Sequence, residues 1–373
     1  MKKNYLFILV FSLFLLSCNF KSVKNKDENL PPKQEIKPLV LIFAGDVMNH
    51  MPQSHAAYNS HTDSYDYKPC FQFIKPYIET ADLSFCNLEL PLAGKPYSGY
   101  PQFSGPDEML DAIQWTGFDV VQMANNHIMD RGNTGNQRTI NEIKKRNLKF
   151  VGSYAEKEQK DSIYPLIITK NKVKIAILNY SYGLNMYMSR PSIVNIFDST
   201  LIKNDIQKLK FQNIDFIIAT VHWGNEYELK RNDIQKKWAN FLIKNGVDLI
   251  VGSHPHVVQN FEIEQFNGKN IPIFYSLGNF TSNQREKNKN GGILARVEID
   301  TRHKTVKNVS YLPFYLLRGV LDKKFQYYLL PTDEYILNHS LYPISKNDSV
   351  QLIDFHTQTK ETLKDIPSYY ERF

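Results

Sequence analysis

Hydrophobic residues in this chain are gathered into short runs, and each run ends in a polar cluster. Leu39 to Ala44 leads into Gly45-Asp46, and Ala81 to Cys86 into Asn87-Leu88-Glu89. Phe118 to Met123 leads into Asn125-Asn126-His127, and Ile214 to Val221 into His222-Trp223-Gly224. Val247 to Val251 leads into Gly252-Ser253-His254-Pro255-His256. Short apolar runs bounded by glycine and polar residues suit strands buried on both faces. The stretches between them carry helical signals. Ser104 is placed to cap a helix with Pro106, Asp107 and Glu108 in its first turn and Gly117 at its end. Asn232 to Asn245, apolar at Ile234, Trp238, Ala239, Phe241 and Leu242 and closed by Gly246, predicts a second. Strand–helix alternation implies a layered α/β fold.

The N-terminus follows another pattern. Lys2 and Lys3 precede an apolar stretch, Tyr5 to Leu16, that is too short to span a bilayer. It reads as a signal peptide over residues 1–17. The ending Leu15-Leu16-Ser17-Cys18 resembles a bacterial lipobox, which makes Cys18 the expected lipidation site. From Cys18 to residue 38 the chain is Lys-, Asn-, Glu- and Pro-rich, without apolar period, as expected of a flexible tether. The expected location is the cell envelope, lipid-anchored on the exported side of a bacterial membrane. Residues 39–300 read as one large domain. Residues 301–373 read as an appendage packed on it, with a solvated end over Glu361 to Phe373.

Charge and cysteine content add little. The net charge of +7 is spread along the chain, with no basic block and no interleaved aromatic motif. That suits solubility and attraction to anionic polymers, and no nucleic-acid partner is expected. Cys70 and Cys86 could pair in an oxidising compartment. The alternative is two buried free thiols, because Cys86 lies inside an apolar strand pattern.

The polar clusters carry the chemistry. All are expected at C-terminal strand ends, which converge on one crevice in α/β folds. Asp46, Glu89, Asn126, His127, His222, His254 and His256 are therefore expected to meet. Neutral imidazoles, carboxylates and an amide oxygen form a mixed donor set that suits Mn, Fe, Zn or Co better than Ca. Six candidate ligands (all but His127) exceed one tetrahedral zinc and suit two divalent ions about 3.5–4 Å apart. Two carboxylates against two such ions leave a net charge of about +2, which attracts an anion such as phosphate. His127 would face the leaving group as general acid, with Asp130 orienting its ring.

These clusters, with Asp130, Asn225-Glu226, Val257 and Tyr275-Ser276-Leu277-Gly278-Asn279-Phe280, resemble the CapA family of poly-γ-glutamate capsule-biosynthesis proteins, relatives of the calcineurin-like metallophosphatases. The likeness covers about residues 39 to 285. It implies a four-layer α/β/β/α sandwich. It implies Asp46, Glu89, Asn126, His222, His254 and His256 as ligands of two divalent ions, with His127 catalytic. The run Pro96 to Ser104 resembles a subgroup with long substrate-side loops. Two departures stand out. The phosphatase relatives open with Asp-x-His, whereas Met48 fills that histidine's position here, leaving Glu89 or His50 to replace it. Many family members carry an Arg a few residues after the first Asp, where this chain reads Asn49-His50-Met51.

Two function classes follow. One is a metal-dependent phosphoesterase-like hydrolase in capsule or surface-polymer biosynthesis. The other is a non-catalytic polymer-binding factor for export or anchoring. The expected partners are an anionic cell-envelope polymer or phosphoester substrate, a polymer synthase complex, and the membrane through the lipid anchor. Tyr77, Tyr97, Tyr100 and Phe103 either pack in the core or stack on substrate near the mouth.

Overall fold

The computed structural model describes residues 37–186, 192–321 and 323–369. The expected signal peptide, the expected lipidation site Cys18 and nearly all of the expected tether lie outside the described residues. Among these residues no helix is long and apolar enough to cross a membrane.

The chain starts in one sheet, crosses to a second, and returns. Strands β1 (Leu39–Val47), β2 (Leu83–Leu88), β3 (Val120–Gln122) and β4 (Lys149–Val151) lie side by side and parallel. The second sheet takes β5 (Leu166–Lys170), β6 (Val173–Ser181), β7 (Phe216–His222), β8 (Leu249–Ser253), β9 (Phe261–Phe266) and β10 (Lys269–Phe274) in the order β9-β10-β8-β7-β6-β5. Its four central strands are parallel, and its two edge strands run antiparallel to their neighbours. Strand β11 (Asn279–Thr281) then returns beside β1. Strands β12 (Gly291–Asp300), β13 (Thr305–Leu321) and β14 (Lys324–Pro331) complete the first sheet in the order β14-β13-β12-β1-β2-β3-β4.

Parallel neighbours need crossovers, and these supply the outer helices. In the first sheet they are α1 (Glu108–Thr116) and α2 (Gly132–Lys145); in the second, α3 (Ser199–Leu209) and α4 (Asp233–Lys244). Each buries one stripe, as Met109, Leu110, Ala112 and Ile113 do in α1. The result is the four-layer α/β/β/α arrangement. Strand β1 is buried along its whole length, with Phe43 stacked 4.5 Å from Phe85 of β2.

Local signals hold unevenly. Asn232 caps α4 through a capping box with Gln235, and Gly246 (φ +103°) follows its end. The start of α1 is displaced from its signal: Asp107, not Ser104, is the N-cap residue, and Gly117 (φ +102°) is the C-cap. Ser104 instead pairs with Ser98 in a backbone bridge that closes the 98–104 loop.

The described part of residues 301–373, a segment read from sequence as an appendage, contributes two strands to the first sheet and a helix, α5 (Lys346–Thr362), packed against β13. The end beyond α5 is not solvated throughout. Leu363 and Ile366 are buried, and Ser368 bridges to Tyr311. Long antiparallel strands need cover on the outer face, which this segment supplies. Cys70 and Cys86 are buried free thiols, and burial pushes both well above the ordinary thiol range.

Candidate metal centre

The crevice forms where β1, β2, β7 and β8 end. Asp46 lies near the end of β1 and Glu89 one residue beyond β2. Asn126 follows β3, His222 closes β7, and His254 and His256 form the turn after β8. All six are buried, and the structure brings together every ligand expected from sequence.

Among the described residues, three groupings each hold donor atoms within 4.8 Å of one another: Glu89 with His222 and His254, Asp46 with Glu89 and His256, and Glu226 with His254 and His256. Asn126 joins the first, its Oδ1 lying 2.8 Å from His222 Nε2. Glu89 is shared by two groupings and reaches His222 Nε2 at 3.5 Å and His256 Nε2 at 3.7 Å. Neither approach is a hydrogen bond, and both Glu89 oxygens are buried without a partner. Burial, reinforced by Asp46 and Glu226, pushes its carboxyl well above the ordinary carboxylate range. A buried carboxylate left unpaired is costly, and a bound cation is the usual relief.

The state of the imidazoles is compatible with metal binding. Burial, with the neighbouring histidines, pushes His254 down to about 3 and holds His222 well below its ordinary value. Both are therefore neutral near pH 7, the form that coordinates. His254 Nδ1 is buried without a partner. His254 (φ +99°) and His256 (φ +57°) both occupy left-handed backbone, a conformation that costs about 1–3 kcal/mol at residues with a Cβ and gathers at functional sites.

A supporting layer orients these donors. Asn87 Nδ2 donates to Asp46 Oδ1 (2.7 Å), and the His254 amide donates to Asp46 Oδ2 (3.2 Å). His256 Nδ1 lies 3.0 Å from Asn279 Oδ1, and His222 Nδ1 lies 3.0 Å from Ser253 Oγ. Such partners fix ring orientation. Asn87, Ser253 and Asn279 sit inside the sequence clusters, but their role emerges only from these contacts. Glu226 lies in one of the motifs yet is not among the ligands expected from sequence.

His127 has its own set of contacts. Asp130 Oδ2 lies 2.8 Å from His127 Nδ1 and accepts the Phe103 amide at 2.9 Å. The His127 ring meets Phe103 edge-on at 4.8 Å. The other ring nitrogen, Nε2, has Asn185 Nδ2 at 3.3 Å. Asn185 Oδ1 also accepts from Asn126 Nδ2 at 3.3 Å, which keeps the Asn126 oxygen turned to the centre. No pattern in the sequence marks Asn185.

His50 belongs to none of the three groupings. It precedes the helix Met51–Ala57, and its Nδ1 accepts the Asn283 amide at 3.2 Å. Of the two substitutes expected for a histidine at Met48, only Glu89 lies in the centre. The aromatic residues are also sorted. Phe103 is core, Tyr77 donates to Glu334, and Tyr97 packs on Tyr65, while Tyr100 is exposed. The rings on the site histidines are Tyr182, 4.5 Å from His254, and Tyr227, 6.2 Å from His256. Lys289 Nζ stands 3.6 Å over the Tyr227 ring.

Known proteins resemble this chain in the same region. Residues 40–284 match the family described as bacterial capsule synthesis protein PGA_cap. The capsule biosynthesis protein CapA of Bacillus anthracis is 30% identical over 267 residues, which cover 67% of this chain and 61% of that protein. The PGA biosynthesis protein CapA of Bacillus subtilis (strain 168) is 31% identical over 254 residues, 65% of this chain and 63% of that protein. The match thus spans about six-tenths of the length of these relatives. Among solved structures, a 5'-nucleotidase from Candida albicans aligns with TM-score 0.41 and 11% identity, covering 87% of this chain and 58% of that one. A hypothetical protein from Thermus thermophilus aligns with TM-score 0.43 and 12% identity, covering 74% of this chain and 99% of that one.

Proposed function

The chain belongs to the bacterial capsule synthesis protein PGA_cap family, and from that premise we propose a metal-dependent, phosphoesterase-like hydrolase acting on an anionic cell-envelope polymer during capsule or surface-polymer synthesis. The observation that carries this reading is Glu89, a buried carboxylate with no partner for either oxygen, set between His222 and His256.

Asp46, Glu89, Asn126, His222, His254 and His256 would hold two divalent ions of the Mn, Fe or Zn type. Bound there, the ions would supply Lewis-acid polarisation of a phosphoryl oxygen and a more acidic water. The protein's own part is orientation and proton transfer. Asp130 fixes the Nδ1–H form of His127, leaving Nε2 to exchange a proton with the leaving oxygen. Asn185 occupies that position in the resting structure, so a leaving group must displace its amide. Tyr182 and Tyr227 flank the histidines and narrow the approach.

Purified protein should contain about two transition-metal ions per chain, and EDTA should remove both metal and phosphodiesterase activity. His254→Ala, which touches two of the three donor groupings, should reduce the ion count measured by elemental analysis. Protein that holds no metal after reconstitution would end the proposal.

A second reading keeps the metals but not the turnover: a polymer-binding factor for export or anchoring beside a polymer synthase. Met48, which offers no nitrogen donor, favours it. The His127–Asp130 pair speaks against it, because binding alone needs neither residue. For location we propose lipidation at Cys18. Cys18→Ala should move the protein from the detergent phase to the aqueous phase in Triton X-114 partitioning. Equal partitioning of mutant and wild type would refute the anchor.

A further inference from the structure

One exposed carboxylate beside the histidine pair, Glu226, is not among the six residues proposed to hold the ions. Glu226 lies in the turn after β7, between Gly224 (φ +89°) and Tyr227 (φ +68°). The Tyr227 amide donates to Pro255 O at 2.8 Å, which ties this turn to the His254–His256 turn after β8. Both turns use left-handed backbone, at His254, His256 and Tyr227, all of which carry a Cβ. The distortion brings a carboxylate oxygen of Glu226 and one nitrogen from each histidine within 4.8 Å of one another.

The chemistry of the neighbours points the same way. His254 is buried, and its Nδ1 has no hydrogen-bond partner. A carboxylate with two imidazoles is a hard and borderline donor set for a divalent transition metal. The position two residues after Asp46 is Met48, which offers no oxygen or nitrogen from its side chain.

We infer that Glu226 is a metal ligand: with His254 and His256 it closes the outer ion position from the solvent side. The inference rests on the metal-centre reading and extends it to a ligand from an exposed turn. Three carboxylates against two divalent ions leave a charge of about +1 rather than about +2. The inner ion keeps only buried donors, whereas the outer ion depends on a side chain that solvent can reach. The outer ion should therefore bind more weakly and exchange first.

The test is calorimetric titration of metal-free protein with Mn²⁺, with the bound metal counted by elemental analysis. Glu226→Gln should weaken the outer ion by at least about tenfold and leave the inner ion unchanged. Glu226→Asp should fall between Gln and wild type. Glu228→Gln, a nearby exposed carboxylate outside the groupings, controls for a general change of field and should leave both affinities unchanged. Circular-dichroism melting should confirm that the variants stay folded, as expected for exposed positions. If Glu226→Gln matches wild type in ion count and affinity, or if Glu228→Gln weakens binding equally, ligation by Glu226 is overturned. Wild-type protein that takes up no ion overturns this inference and the metal-centre reading together.

Discussion

Replacing His127 by asparagine should lower hydrolysis of a phosphodiester by about 10²–10⁴-fold, the usual loss when a general acid is removed, while metal content stays at the wild-type value. The side chain belongs to none of the donor groupings. Its ring is held by Asp130 at 2.8 Å on one nitrogen and by the edge of Phe103 at 4.8 Å. Asparagine retains a polar group but offers no ring nitrogen to pass a proton to the leaving oxygen. The loss should depend on the leaving group. An alkoxide needs protonation more than p-nitrophenolate does, so an alkyl diester should suffer more than bis-p-nitrophenyl phosphate. Asp130→Asn should act in the same direction but more mildly, by about 10–100-fold. The measurement is kcat and kcat/KM on both substrates, with metal counted on the same preparations. Equal activity in wild type and His127→Asn would remove His127 from the reaction. Failure of the wild type to hydrolyse any phosphoester, with polymer binding intact, would favour the binding factor.

Gly152→Ala should destabilise the fold by about 2–6 kcal/mol, counting about 1–3 for a left-handed backbone and about 1–3 for overpacking. Gly152 has φ +106°, and a Cβ there would stand 1.9 Å from Asn179 Oδ1 and 2.6 Å from the Ala124 nitrogen. Neither neighbour can yield freely. Asn179 Oδ1 accepts the Ala124 amide at 2.7 Å, and its Nδ2 donates to Thr220 O at 3.1 Å. One side chain on β6 thus ties the second sheet to the segment that carries Asn125, Asn126 and His127. Against a total stability of about 5–15 kcal/mol the loss is large. Urea or thermal unfolding would read it. Gly268→Ala is the comparison, since Gly268 also has positive φ (+75°) but nothing lies within 4 Å of the added carbon. It should cost only the backbone part. If the two variants melt together, the contact between the sheets is not what Gly152 protects.

Much of this protein was legible in one dimension. Apolar runs ending in polar clusters foretold strands whose C-terminal ends meet, because burial on both faces of a strand demands continuous apolar sequence. Residue chemistry at those ends singled out the six candidate ligands, His127 and Asp130, which the fold gathers in one crevice, and Asn232 announced α4 through its capping box. These are local properties: periodicity, capping and donor type need only neighbours along the chain. What lay outside that reach required distant segments to touch. The addition of β13 and β14 to the first sheet is a matter of strand pairing, to which a motif-poor segment gives no clue. Asn179 and Asn185 look like ordinary polar residues until folding sets them against Ala124 and His127. Glu226 stands near His254 and His256 only because two turns are bonded through Tyr227 and Pro255. Donor identity is written in the side chain, but the distance between donors is set by the register of two sheets.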